Sequence, residues 1–79
     1  MVKVNKFTYL KESKEKFCTG NKLLSEDINF WSNATLQGEI DGLVNNGAQV
    51  ISQTESHAVL VRDVDEEFYS LYVLSFLGD

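Results

Sequence analysis

The chain has 79 residues, of which 43% are hydrophobic and 24% charged; this balance fits one small globular domain and excludes a wholly disordered chain. A single cysteine and a single histidine exclude an internal disulfide framework and the common zinc sites, which need several such residues. The net charge of −5 argues against direct nucleic-acid binding, because that binding depends on lysine and arginine neutralising phosphates.

Residues 2–10 mix β-branched and aromatic side chains with polar ones in near alternation, which predicts a strand. The alternation slips between Val4 and Phe7, which indicates either a β-bulge at Asn5-Lys6 or a short hairpin there. This stretch holds no apolar core of a secretory signal, and nowhere does the chain contain the ~18 consecutive apolar residues of a membrane span. With a free Cys18, a cytoplasmic location without membrane association is expected.

Lysine and glutamate dominate residues 11–21, which we interpret as a mostly solvated connection, with Phe17-Cys18 as an optional short strand. The following segment, Leu23–Trp31, admits two interpretations. Ser25–Asp27 resembles a helix start, whereas the apolar residues after it fit a short strand. Both interpretations stay open at this point, and in either case Trp31 is expected to be largely buried.

Apolar residues recur at helical spacing in the middle of the chain, at Leu36, Ile40, Leu43 and Val44. The pattern predicts a helix over Thr35–Asn46 that places all four on one face, with Glu39 and Asp41 on the other side. Ser32 or Asn33 is the expected N-cap. Asn45-Asn46-Gly47 is the expected stop, because glycine relieves the left-handed conformation that ends many helices.

Gly38 and Gly42 lie inside this predicted helix, where each costs about 0.5–1 kcal/mol relative to alanine. Close approach of another backbone is the usual reason to accept such a cost. That backbone belongs either to the chain's own sheet, which we favour, or to a second copy of the helix.

Three β-forming runs end the chain, over residues 48–54, 58–62 and 68–77, and residues 63–67 form an acidic turn before the last. Consecutive strands with short turns predict an antiparallel meander. The sequence therefore predicts a single α+β domain over residues 1–79, with one main helix packed on an antiparallel sheet of about four strands.

The last predicted strand is apolar on both faces. One helix cannot cover both sides of such a sheet, so the uncovered face requires a second cover. We expect a homo-oligomer, with an interface formed by Phe68, Tyr69, Leu71, Tyr72 and Val73. The alternative is that Leu23–Trp31 covers the second face within one chain.

Motifs of known enzymes are missing from the sequence. Neither GxxxxGK[ST] nor GxGxxG occurs, and no flanking signature supports Cys18 and His57 as a nucleophile and base. The acidic residues of the 63–67 turn lack the D-x-D-x-D-G spacing of a calcium loop and fit a solvated turn. The sequence predicts a protein that is not an enzyme and that uses no metal or cofactor.

A resemblance to other proteins rests on two features of the sequence. One is the layout from Leu36 to Arg62, which is a helix, an Asn-Asn-Gly stop and two strands, and the other is the segment Leu43–Ile51 within it. They resemble small uncharacterised domains among bacteriophage and Gram-positive bacterial accessory proteins. The resemblance implies a small binding protein and carries over no catalytic residue.

Charge is distributed unevenly along the chain. Residues 1–22 carry six lysines and two glutamates, hence +4, while residues 23–79 carry one arginine and ten acidic residues, hence −9. The leading hypothesis is a small acidic regulator or inhibitor that binds a basic protein. Its predicted contact residues are Asp63, Asp65, Glu66 and Glu67. The alternatives are a homo-oligomer holding a polar small molecule between subunits, near the lysines and Arg62, and a structural assembly subunit.

Overall fold

A computed structural model describes residues 1–10 and 23–77, without the side chains of residues 23–25 and 27. Within these residues, five strands and one helix follow in the order β1 (Val2–Leu10), β2 (Leu23–Ser32), α1 (Leu36–Asn45), β3 (Gln49–Gln53), β4 (His57–Asp63) and β5 (Phe68–Phe76). The strands form one antiparallel sheet in the order β2-β1-β5-β4-β3. The predicted α+β class is confirmed. The sheet has five strands instead of about four because Leu23–Ser32 is a strand. The optional strand at Phe17-Cys18 lies outside the described residues.

The irregularity predicted for the first strand belongs to its neighbour. β1 pairs with β5 without interruption, and its pairing with β2 shifts between Lys6 and Phe7, whose partners are Ile28 and Glu26. The extra residue is therefore Asp27, and the bulge predicted at Asn5-Lys6 is wrong in position. The alternative of a short hairpin there is wrong as well, because β1 runs unbroken from Val2 to Leu10. A bulge places two residues of one strand opposite a single partner, which explains why Leu23–Trp31 lacks a clean strand alternation.

Helix α1 begins and ends within one residue of its predicted bounds. Its N-cap is Thr35, whose hydroxyl accepts a hydrogen bond from the Gly38 N–H at 3.0 Å. The caps predicted at Ser32 or Asn33 are wrong: the Ser32 hydroxyl instead accepts from the Ala34 N–H. An N-cap residue has an extended backbone, and its side chain accepts a hydrogen bond from one of the first free N–H groups of the helix. Thr35 meets both conditions.

The predicted stop of α1 is confirmed. Gly47 adopts a φ of 99°, and its N–H donates to the Val44 carbonyl at 3.0 Å. The Ala48 N–H donates to the Leu43 carbonyl at 3.0 Å. This pair of bonds is the Schellman arrangement, which satisfies carbonyls left free at a helix end. It also directs the chain back to the sheet, where Ala48 is buried.

The core lies between α1 and one face of the sheet. Its buried residues are Val2, Val4, Leu36, Ile40, Ala48, Ala58, Leu60, Tyr72 and Leu74, with Leu43 packed against them. Of the four helix residues predicted to share one face, Val44 is 45% exposed, so this face is not buried along its whole length. Within residues 1–10 and 23–77, α1 is far shorter than a membrane-crossing helix.

Both helix glycines point away from the sheet. Gly38 and Gly42 are exposed, and a Cβ added at Gly42 would meet no other heavy atom within 4 Å. The predicted close packing of these glycines on the sheet is therefore wrong. At Gly38 the nearest atom would be the Thr35 hydroxyl oxygen, 3.1 Å from the added Cβ, so this glycine makes room for the N-cap.

The second face of the sheet, opposite α1, carries alternate residues of each strand. Tyr9 and Tyr69 are partners across β1 and β5 on this face, and their rings stack with centroids 5.3 Å apart. The alternative in which Leu23–Trp31 covers this face is wrong, because that segment lies in the plane of the sheet as an edge strand. Trp31 is consequently about half exposed instead of buried.

Candidate interaction surface

The turn between β4 and β5 is an acidic tip, by which we mean residues Asp63–Glu67, and hydrogen bonds within the turn hold its backbone. The Asp65 carboxylate accepts hydrogen bonds from the Glu67 N–H at 2.7 Å and the Phe68 N–H at 2.9 Å. The Val64 N–H donates to the Phe68 carbonyl at 3.2 Å. Aspartate is favoured in turns because its short carboxylate can satisfy backbone N–H groups two or three residues ahead. Asp65 therefore fixes the shape of the tip.

The acidic tip combines charge with an apolar centre. All five of its residues are exposed, and Val64, flanked by acidic neighbours, is 55% exposed. Protein interfaces commonly place an apolar contact inside a polar rim. Sequence reasoning identified the carboxylates and missed Val64, although a valine interrupting four acidic residues is itself visible in the sequence.

The four carboxylates of the acidic tip have different surroundings. Asp65 is directed toward its own turn, whereas Glu66 and Glu67 extend from an exposed loop. In the described part of the chain, no group of three or more His, Cys, Asp or Glu side chains is arranged to hold a metal ion. The tip presents exposed negative charge, which attracts a cationic surface.

The oligomer interface predicted on β5 divides between the two faces of the sheet. Tyr72 lies on the α1 face with Phe68, while Tyr69, Leu71 and Val73 lie on the second face. The single chain already leaves only 9% of Tyr69 and 6% of Tyr72 exposed. The five residues therefore do not form one continuous open surface.

Two other predicted sites are placed only in part. His57 lies at the exposed start of β4, with its Nδ1 2.8 Å from the Ser56 hydroxyl oxygen, and its suggested partner Cys18 falls outside the described residues. Arg62 and Lys6 lie on the same sheet face, with β5 between their strands. The sheet thus brings these two cations to one side, beside the buried Ser70.

Comparisons with protein-family models, with curated proteins and with solved structures found no significant match to this chain. The suggested resemblance to bacteriophage and Gram-positive accessory domains therefore stays a prediction.

Proposed function

We propose that this chain is a small non-enzymatic regulator or inhibitor that binds a basic surface of another protein through the acidic tip. The contact residues are Asp63, Asp65, Glu66 and Glu67, as the sequence suggests, together with Val64 at their centre. In this proposal the chain acts in the cytoplasm, where free Cys18 stays reduced.

The observation that supports this proposal most strongly is the exposed Val64 on a turn whose backbone is held by Asp65. A rigid turn loses little conformational entropy when a partner binds it. The surrounding charges increase the rate of encounter with an oppositely charged surface. Val64 then supplies the apolar contact that a purely charged patch lacks.

The first test is charge reversal that spares the turn. Glu66→Lys with Glu67→Lys removes charge from the tip while leaving the Asp65 hydrogen bonds intact. A matched control is Glu55→Lys with Asp41→Lys, which changes the net charge equally at exposed positions outside the tip. Each variant is immobilised and used to capture proteins from cells of the source organism at low and at high salt.

The proposal predicts a basic partner that wild type and the control variant capture at low salt and lose at high salt. Glu66→Lys with Glu67→Lys should reduce capture by at least about tenfold, since removal of close charge pairs typically costs more than 1.4 kcal/mol. Val64→Asp should weaken capture although it makes the tip more acidic. Equal capture by all variants would show that the tip is not the contact surface.

A further inference from the structure

Among the strands of the described residues, β2 forms one edge of the sheet, and its last part is apolar and exposed. We call residues Ile28–Ser32 the edge segment. Phe30 is 44% and Trp31 49% exposed, and Ile28 is similarly open. The segment pairs in regular register with Val2–Lys6 of β1 on one side. An edge strand presents unpaired backbone N–H and C=O groups on its other side, which form a template for another strand.

The two edges of the sheet differ in how well they are protected against such pairing. β3, at the other edge, has a bulge at Ile51, because Val50 and Ser52 pair with the consecutive residues Leu60 and Val59. The bulges of β2 lie before Ile28, so the edge segment has none. It also lacks lysine, proline and any charged side chain. Bulges, lysines and prolines are the usual means of blocking edge pairing.

We propose that a second copy of this chain docks on the edge segment, strand to strand and antiparallel. A two-fold axis at Phe30 would place each Phe30 opposite its counterpart and each Trp31 opposite Asn29 of the other copy. A two-fold interface of this kind uses the same surface patch on both subunits. The two sheets then form one continuous ten-stranded sheet, and the exposed aromatic side chains of the two copies pack across the junction.

The lack of charged side chains around Phe30 favours a second copy of this acidic chain as the occupant. Residues 28–38 contain no charged side chain, although the chain as a whole carries −5. The Glu39 carboxylate accepts a hydrogen bond from the Ser32 hydroxyl, so the nearest acidic group on α1 lies at the end of the edge segment and not at the axis through Phe30. The acidic tip begins at Asp63, which pairs with Tyr69, whereas Ser32 aligns through Val2 with Phe76. About 25 Å of strand separates these two ends of the sheet. Because the two copies pair antiparallel, the acidic tip of one copy points away from the acidic tip of the other.

The same arrangement limits the assembly to two copies. Once both edge segments are paired, the outer strands of the combined sheet are the two bulged β3 strands. Their bulges disfavour the addition of further copies. The proposal is independent of the acidic tip, which stays exposed at the far ends of the dimer.

The first experiment measures molar mass from about 1 μM to about 1 mM, a range that covers weak and moderate association. Phe30→Lys places like charges opposite each other at the axis and should raise the dimer Kd by at least about tenfold. Val50→Lys is the matched control, because Val50 is 42% exposed on the same face of the other edge strand. Trp31, the single tryptophan, should shift its fluorescence to shorter wavelength as wild type dimerises.

A second experiment does not depend on a charged substitution being tolerated. In a Cys18→Ser background, Phe30→Cys should form a disulfide-linked dimer under mild oxidation, because residues directly opposite across a strand pair are close enough to bridge. Val50→Cys should stay monomeric. A wild-type chain that is monomeric up to about 1 mM, or a dimer that survives Phe30→Lys without cross-linking at position 30, would overturn the proposal.

Discussion

Asp65 stabilises the turn that carries the acidic tip. Its carboxylate accepts two backbone N–H groups, and the side chains beside it in the tip are exposed. Removal of an acceptor that satisfies backbone donors destabilises a protein even where the group is open to solvent, although solvent screening reduces the effect. This division of roles within one acidic cluster is invisible in the sequence, where four carboxylates look equivalent.

Substitution of Asp65 should therefore affect stability, while substitution of Glu66 should not. We expect Asp65→Ala to lower the free energy of unfolding by about 1 kcal/mol. Asp65→Asn should lose less, because the amide oxygen can still accept from the turn. Urea denaturation measures both, with Glu66→Ala as the control. Equal losses in Asp65→Ala and Glu66→Ala would contradict the structural role of Asp65.

Gly42 is a position where a substitution should stabilise the chain. A methyl group added there meets open space, so Gly42→Ala should stabilise the chain by about 0.5–1 kcal/mol through helix propensity. Gly38→Ala should gain less, because its methyl would lie close to the Thr35 hydroxyl. Thermal unfolding distinguishes the two. Destabilisation by Gly42→Ala would show that another backbone occupies the space beside Gly42.

Helix α1 is attached to the sheet by a narrower stripe than its sequence pattern suggests. Ile40 is 2% exposed, whereas Val44, one turn later, is 45% exposed. We expect Ile40→Ala to cost about 2–4 kcal/mol and Val44→Ala less than about 1 kcal/mol. Denaturant midpoints and slopes for both variants give these values. A large loss at Val44 would mean that α1 is rotated from the orientation described.

Elements whose determinants are local in sequence could be predicted. The Asn-Asn-Gly stop and the spacing of Leu36 and Ile40 define α1 to within one residue, since capping and helical periodicity act over a few positions. β3, β4 and β5 also lie within one residue of their predicted bounds. Their hairpin turns are marked by polar and acidic residues.

Elements determined by distant pairing could not be predicted. Leu23–Ser32 becomes a strand because β1, more than ten residues earlier, supplies its hydrogen bonds, and the bulge at Asp27 hides the alternation. The sequence also could not show that β5 lies at the centre of the sheet, where Tyr69 and Tyr72 are largely enclosed. Apolar character on both faces marks a central strand as readily as an interface.

At the scale of the whole molecule, the sheet separates two surfaces with different properties. The acidic tip lies where β4 turns into β5, and the uncharged edge segment lies at the outer margin near the other end. A chain of this size has a small core, so association is an effective way to gain stability. The proposed self-association and the proposed partner binding use separate surfaces, so the two can occur together.

The carboxylates of the acidic tip could be predicted because charge density is readable directly from sequence. The exposure of Val64 and the hydrogen bonds of Asp65 required coordinates, since both depend on how the hairpin closes. The edge segment required the strand order, because an edge is a property of the whole sheet.

The most direct test of the central claim, that the chain works by contact through its acidic tip, is a titration of the isotope-labelled chain with its captured partner, followed by backbone amide NMR. We expect shifts concentrated at residues 64–67, with little change at the β3–β4 turn around Glu55, which lies at the opposite end of β4. The shifts should decrease as salt is raised. Shifts at the Glu55 turn with none at residues 64–67 would contradict the account.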